Sequence, residues 1–165
     1  MREPPGEYGR RVSGRVELAG IDGCVSTAIG IALAEPDRPA YALMGDLTFL
    51  HDTNGLLIGP AEPRPNLTIV VVNDQGGGIF GLLEPGRASL TEPYERLFGT
   101  PTTTDLGALA GAHGILHDLA TTPEALAASV SQTPNGLRVI EVPIDRAGHE
   151  DAHAHLRATA ARANA

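Results

Sequence analysis

Residues 67–80 read LTIVVVNDQGGGIF. Leu67 to Val72 form an apolar, β-branched run with no polar alternation, the pattern of a strand covered on both faces inside a parallel sheet. The run stops at Asn73-Asp74, and Gly76-Gly77-Gly78 follow before the chain turns apolar again at Ile79 and Phe80. A strand that ends this way exchanges packing for oxygen donors and bare backbone. The N–H groups of a glycine run face an anion without side-chain interference.

Upstream, AYALMGD (40–46) is a second short apolar strand, and it too ends on an acid, Asp46. Asp46 and Asp74 lie 28 positions apart, room for one crossover helix, which TFLHDTNGLLIGP (48–60) begins. In an open parallel sheet, ligands sit beyond the carboxyl ends of the strands. If the two strands are neighbours, both acids enter one crevice. Hard oxygen donors with a glycine-run carbonyl suit Mg²⁺ or Ca²⁺ rather than zinc, and Thr48 adds a hydroxyl. Taken singly, Gly-Asp and Asn-Asp-x-Gly are ordinary turn chemistry; it is the pairing and spacing that favour a cation and a phosphate.

The remaining segments alternate. Residues 21–39 hold an Ala-rich helix ending near Glu35, before Pro36 and Pro39, and AEPRPN (61–66) is a turn. TTTDLGALAGAHG (102–114) offers an N-cap and a short helix closed by Gly114. TTPEALAASVSQT (121–133) is a helix with Pro123 in its first turn. LRVIEVPID (137–145) is a third strand, and a polar helix follows from His149. The expected fold class is α/β, a doubly wound parallel sheet with helices on both faces.

Composition narrows the function classes. With 165 residues the chain suits one domain able to bury a core. A net charge of −8 argues against nucleic acid and anionic membrane as partners. One cysteine, Cys24, excludes an internal disulfide. No stretch approaches a membrane span and residues 1–16 lack a signal-peptide core, so a cytoplasmic location is expected.

GIDGCVSTAIG (20–30), GDLTFLHDTNGLLIGP (45–60) and NDQGGGIFGLLE (73–84), taken together, resemble the C-terminal, thiamine diphosphate-binding domain of the 2-succinyl-5-enolpyruvyl-6-hydroxy-3-cyclohexene-1-carboxylate synthases of menaquinone biosynthesis. Leu47 and the Gly-Gly-Ile-Phe run fit these synthases better than pyruvate decarboxylases or acetolactate synthases. The resemblance implies a cofactor, thiamine diphosphate, with Mg²⁺ held by the side chains of Asp46 and Asp74 and the carbonyl of Gly76. Asp74 stands where the motif has its second asparagine, and Asn73 is the fallback ligand. It further implies that Gly45, Leu47, Thr48, Gly77 and Gly78 touch the diphosphate, that Gly20, Ile21, Asp22 and Gly23 lie along the aminopyrimidine, and that Ile79 borders the thiazolium and, with Phe80, the substrate pocket.

In that family the cofactor carries decarboxylation of 2-oxoglutarate and addition to isochorismate, and a pyrimidine-binding domain supplies the activating glutamate across a dimer interface. The chain holds no counterpart of that domain, so no catalytic residue is assigned within it. The expectation is a fragment or one half of a split enzyme: residues 1–18 a mobile, unrelated arm, residues 19–165 the cofactor domain, inactive alone, a homo-oligomer in the full enzyme, and exposing apolar surface where its partner is missing. The alternatives are another thiamine-dependent decarboxylase or acyloin synthase, and a non-catalytic partner module or relic.

Several other residues invite chemistry. His149 to His153, HEDAH, matches a zincin pattern, but reads as a solvated helix face. Cys24 reads as a small helix residue, His51 as a helix-start residue and a weaker candidate proton shuttle, and His113 and His117 as loop or surface residues around Gly114.

Overall fold

The computed structural model describes residues 20–83 and 91–163. The arm expected over residues 1–18 therefore lies outside the described residues. Helix α1 (Cys24–Ala34) leads into strand β1 (Ala40–Gly45), and helix α2 (Asp46–His51) and a 3₁₀ turn (Thr53–Leu56) lead to strand β2 (Leu67–Asn73). A 3₁₀ turn (Gly78–Leu82), helix α3 (Thr91–Tyr94) and a π-helical turn (Glu95–Gly99) follow. Helix α4 (Leu106–Ala112), strand β3 (Leu116–Leu119), helix α5 (Pro123–Ser131), strand β4 (Leu137–Pro143) and helix α6 (His149–Ala163) complete the order.

The four strands form one parallel sheet in the order β1-β2-β4-β3. Leu67, Ile69 and Val71 of β2 alternate with Thr68, Val70 and Val72, and both sets are covered in the middle of the sheet. The first set packs with Leu137 and Val139 of β4 against Val25 and Ile29 of α1, Phe49 of α2, and Leu106 and Ala110 of α4, all in one buried cluster. Helix α5 lies on the opposite face. There the buried Arg138 of β4 donates to Thr68 Oγ1 at 2.8 Å and to the carbonyls of Ser129 and Gln132 at 2.7 Å each, closing the C-terminal end of α5 onto the sheet. Helices thus cover both faces, as the apolar run of β2 requires.

The helix signals act as the residue types dictate. Asp105 accepts Ala108 N–H at 2.8 Å and Thr122 accepts Ala125 N–H at 3.1 Å, each an N-cap side chain. Gly114 ends α4 at φ 66°. Two expectations need correction. Helix α2 starts on Asp46 itself, not at Thr48. LRVIEVPID forms the fourth strand, not the third, because LHDL at 116–119 is a strand too. Its two central residues are polar and only half-buried, and it pairs on one side alone, so no apolar run announces it.

Strand β1, an edge strand among the described residues, carries Leu43 at 75% exposure, beside an apolar groove that Tyr41, Leu43 and Val70 form with Pro123 and Leu126 of α5. No helix among the described residues is long and apolar enough to cross a membrane.

Candidate cation and diphosphate site

Strands β1 and β2 are hydrogen-bonded neighbours with Gly45 opposite Val72. Their carboxyl ends therefore open side by side, and Asp46 and Asp74 leave the sheet at the same edge. Asp46 is buried at 2% exposure, and its Oδ2 has no hydrogen-bond partner among the described residues. Burial raises its pKa, and the charge of Asp74 raises it further, against the lowering effect of the Leu47 and Gly76 backbone amides. A buried carboxylate oxygen without a partner costs free energy unless a cation or donor reaches it. At the neighbouring strand end, a Cβ added at Gly45 would meet nothing within 4 Å.

The turn after β2 is fixed by Asn73. Its Nδ2 donates to Glu141 Oε1 at 2.6 Å, and its Oδ1 accepts the Gln75 N–H at 3.0 Å. Both polar atoms of Asn73 are thus engaged within the protein. Gln75 turns through φ 59° and Gly76 through φ 153°, conformations in which a glycine at position 76 is the low-cost residue.

The glycine run has a second use that the sequence does not announce. The π-helical turn presses its backbone against it, so that a Cβ at Gly76 would overlap the Gly99 carbonyl and one at Gly77 the Phe98 carbonyl. The Gly77 N–H donates to Gly99 O at 2.7 Å. This amide is engaged inside the chain, and close approach of the protein's own backbone explains the missing side chain. A Cβ at Gly78 would overlap the Asp74 carboxylate. Arg146 braces the same turn, donating to Gly99 O at 3.2 Å and to Glu95 Oε2 at 2.5 Å.

The other candidates lie around this centre. Leu47 and Thr48 sit half-buried in the first turn of α2. Ile79 is exposed, and Phe80, on the same 3₁₀ turn, packs its ring 5.8 Å from that of Phe98. Gly20, Ile21, Asp22 and Gly23 precede α1, with Gly23 in the left-handed region at φ 63°. Asp22 meets His51 at 3.6 Å, at the far end of α2 from Asp46. His51 is therefore the last residue of α2 rather than a helix-start residue.

Two more histidines differ from expectation. His117 is not a loop residue: it lies in β3 and donates from Nε2 to Glu141 Oε2 at 2.9 Å. His149 opens α6, but its side chain is only 24% exposed and its Nδ1 lies 3.9 Å from Asp74 Oδ2. His153 and His155 face solvent. Among the described residues no group of three or more His, Cys, Asp and Glu is placed to hold a metal ion. A cation at this edge would draw on two carboxylates and a main-chain carbonyl, a hard-oxygen set that suits Mg²⁺.

Residues 18–142 match the family model for the C-terminal TPP binding domain of thiamine pyrophosphate enzymes. The chain is 54% identical over 144 residues to a 2-succinyl-5-enolpyruvyl-6-hydroxy-3-cyclohexene-1-carboxylate synthase of Saccharopolyspora erythraea, covering 85% of this chain and 26% of the relative. It is 54% identical over 149 residues to the synthase of the same name from Rhodococcus erythropolis, covering 90% of this chain and 28% of the relative. Among solved structures, benzoylformate decarboxylase from Polynucleobacter necessarius superimposes with a TM-score of 0.57 at 25% identity, over 76% of this chain and 23% of that one. The chain thus spans little more than a quarter of the length of these relatives. By the match over residues 18–142, the chain belongs to the thiamine pyrophosphate enzyme C-terminal TPP-binding domain family.

Proposed function

We propose that the chain is the cofactor-binding domain of a thiamine diphosphate- and Mg²⁺-dependent synthase that joins decarboxylated 2-oxoglutarate to isochorismate, and that it is inactive alone. The observation that carries this reading is the buried Oδ2 of Asp46, without a hydrogen-bond partner among the described residues, where β1 ends beside the end of β2 that leads into Asp74, in a chain 54% identical to 2-succinyl-5-enolpyruvyl-6-hydroxy-3-cyclohexene-1-carboxylate synthases. Asp46, Asp74 and the Gly76 carbonyl hold the cation. Gly45, Leu47, Thr48, Gly77 and Gly78 border the diphosphate, Gly20 to Gly23 border the aminopyrimidine, and Ile79 borders the thiazolium and, with Phe80, the substrate. When bound, thiamine diphosphate supplies the carbon centre at which decarboxylation and carbon–carbon bond formation occur. The chain's own work is to bind, orient and exclude water; the activating glutamate comes from the remainder of the enzyme.

A chimera tests the reading. The corresponding segment of the Saccharopolyspora erythraea relative is replaced by residues 20–163, and the product is assayed with 2-oxoglutarate and isochorismate, and with pyruvate as an alternative donor. Synthase turnover with 2-oxoglutarate is the expected result. A folded chimera that binds cofactor and turns over pyruvate only would place the domain with another thiamine-dependent enzyme.

A further inference from the structure

We propose that Glu141 is the positioning residue of the cation turn: it dictates which way Asn73 faces, and Asn73 in turn aims Asp74 and Gly76. This rests on the cation reading above and assigns a role to a residue outside the donor set.

Glu141 stands near the end of β4, paired in register with Val71 of β2 and Leu119 of β3. Its side chain is only 13% exposed, and its two oxygens are divided between two neighbours. Oε1 accepts Asn73 Nδ2 at 2.6 Å, and Oε2 accepts His117 Nε2 at 2.9 Å. An ionised carboxylate has no proton to give, so both neighbours must donate. Asn73 must therefore present its NH₂ to Glu141, and its carbonyl oxygen is left pointing along the chain. That oxygen is the one that takes the Gln75 N–H at 3.0 Å. The resulting turn carries Gln75 through the left-handed region at φ 59°, a conformation that costs a non-glycine residue free energy unless its surroundings impose it. The backbone adds one tie, Ile144 N–H to Asn73 O at 2.9 Å, but that bond does not set the direction of the Asn73 amide.

The same logic explains why position 73 holds an amide while position 74 holds an acid. Two carboxylates at 73 and 141 would face each other at hydrogen-bond distance without a proton between them, whereas the acid at 74 is free to meet a cation. The chain His117–Glu141–Asn73 thus ties edge strand β3, through β4, to the turn that leaves β2.

Reversing the polarity of the bond tests the assignment. In Glu141→Gln the nitrogen that replaces one carboxylate oxygen can accept from neither neighbour, and in Asn73→Asp the two acids repel. In the double variant N73D/E141Q, the introduced amide at position 141 donates to the introduced carboxylate at position 73 and keeps its own oxygen for His117. The carboxylate at 73 then has an oxygen left for the Gln75 N–H. Two readouts are taken on the full chain: Mg²⁺-dependent binding of thiamine diphosphate, and hydrogen exchange of the Gln75 amide in metal-free buffer. Each single variant is expected to weaken Mg²⁺-dependent binding by about tenfold or more, the scale of losses at groups that orient metal ligands, and to speed Gln75 exchange. The double variant is expected to recover most of both. Unchanged Gln75 exchange in the single variants, or a double variant no better than the worse single one, overturns the proposal. If the parent chain binds no cofactor, the cation reading fails, and the exchange measurement still decides whether Glu141 sets the turn.

Discussion

Asn73 and Glu141 are joined across strands β2 and β4 by a 2.6 Å hydrogen bond, which engages the Asn73 amide within the fold. Asn73 is spent on the fold, and Asp74 is left beside the buried Asp46. Substitution at the two positions should therefore separate. Asp74→Ala is expected to lower Mg²⁺ affinity about a hundredfold or more, as loss of a ligand, whereas Asn73→Ala costs about tenfold, as loss of an orienting group. Equilibrium dialysis with Mn²⁺ as the probe measures both.

Asp46 links pH to stability. Burial, and then the charge of Asp74, raise its pKa above the ordinary 3.8. The folded state therefore holds this proton more tightly than the unfolded chain does. In metal-free protein, the contribution is most favourable at low pH and is lost as pH rises from the unfolded value through the folded one. Asp46→Asn removes that slope. Melting scans in EDTA are expected to show the variant more stable than the parent at neutral pH, and saturating Mg²⁺ with thiamine diphosphate is expected to reverse the order.

The glycines divide by what surrounds them. At Gly77 a Cβ would overlap the Phe98 carbonyl and come within 2.9 Å of the Phe80 ring, whereas at Gly30, exposed in the middle of α1, it would meet nothing within 4 Å. Gly77→Ala is expected to destabilise by about 2–4 kcal/mol, since backbone must move. Gly30→Ala is expected to stabilise by up to about 1 kcal/mol, by helix propensity. Urea unfolding of the two variants provides the comparison.

Arg138 holds α5 to the sheet through Thr68, Ser129 and Gln132. Arg138→Met keeps the aliphatic stem but leaves those groups without their donor. The expected loss is about 3 kcal/mol, on the scale of buried hydrogen bonds to a charged group. Because α5 lies on the face opposite α1 and α2, Mg²⁺-dependent cofactor binding below the unfolding transition should be nearly unchanged.

The central strand, the two strand ends and the capped helices are legible in the sequence because each rests on a local rule. An unbroken β-branched run, an acid after a strand, or an Asp or Thr before a helix carries its meaning within a few residues. What stays hidden depends on distance in the chain. The reason for Gly76 and Gly77 lies at Phe98 and Gly99, more than twenty positions on. The Glu141 partner of Asn73 lies 68 positions on, and His149 of α6, whose Nδ1 lies 3.9 Å from Asp74 Oδ2, is part of a motif that reads as solvated. Strand β3 escapes a sequence reading because an edge strand with polar central residues carries no apolar pattern. A glutamate inside the apolar run RVIEVP is the one available signal for the Glu141 network, since a charge in a buried strand needs a partner.

The central claim is that Asp46 and Asp74 act on one cation together with the cofactor. Calorimetric titration of thiamine diphosphate into the purified chain, in Mg²⁺ and in EDTA, with Asp46→Ala and Asp74→Ala alongside, tests this most directly. The predicted result is binding that requires Mg²⁺ and is lost in both variants, while both remain folded. Equal binding in EDTA, or parent-like Mg²⁺-dependent binding in both variants, would contradict it.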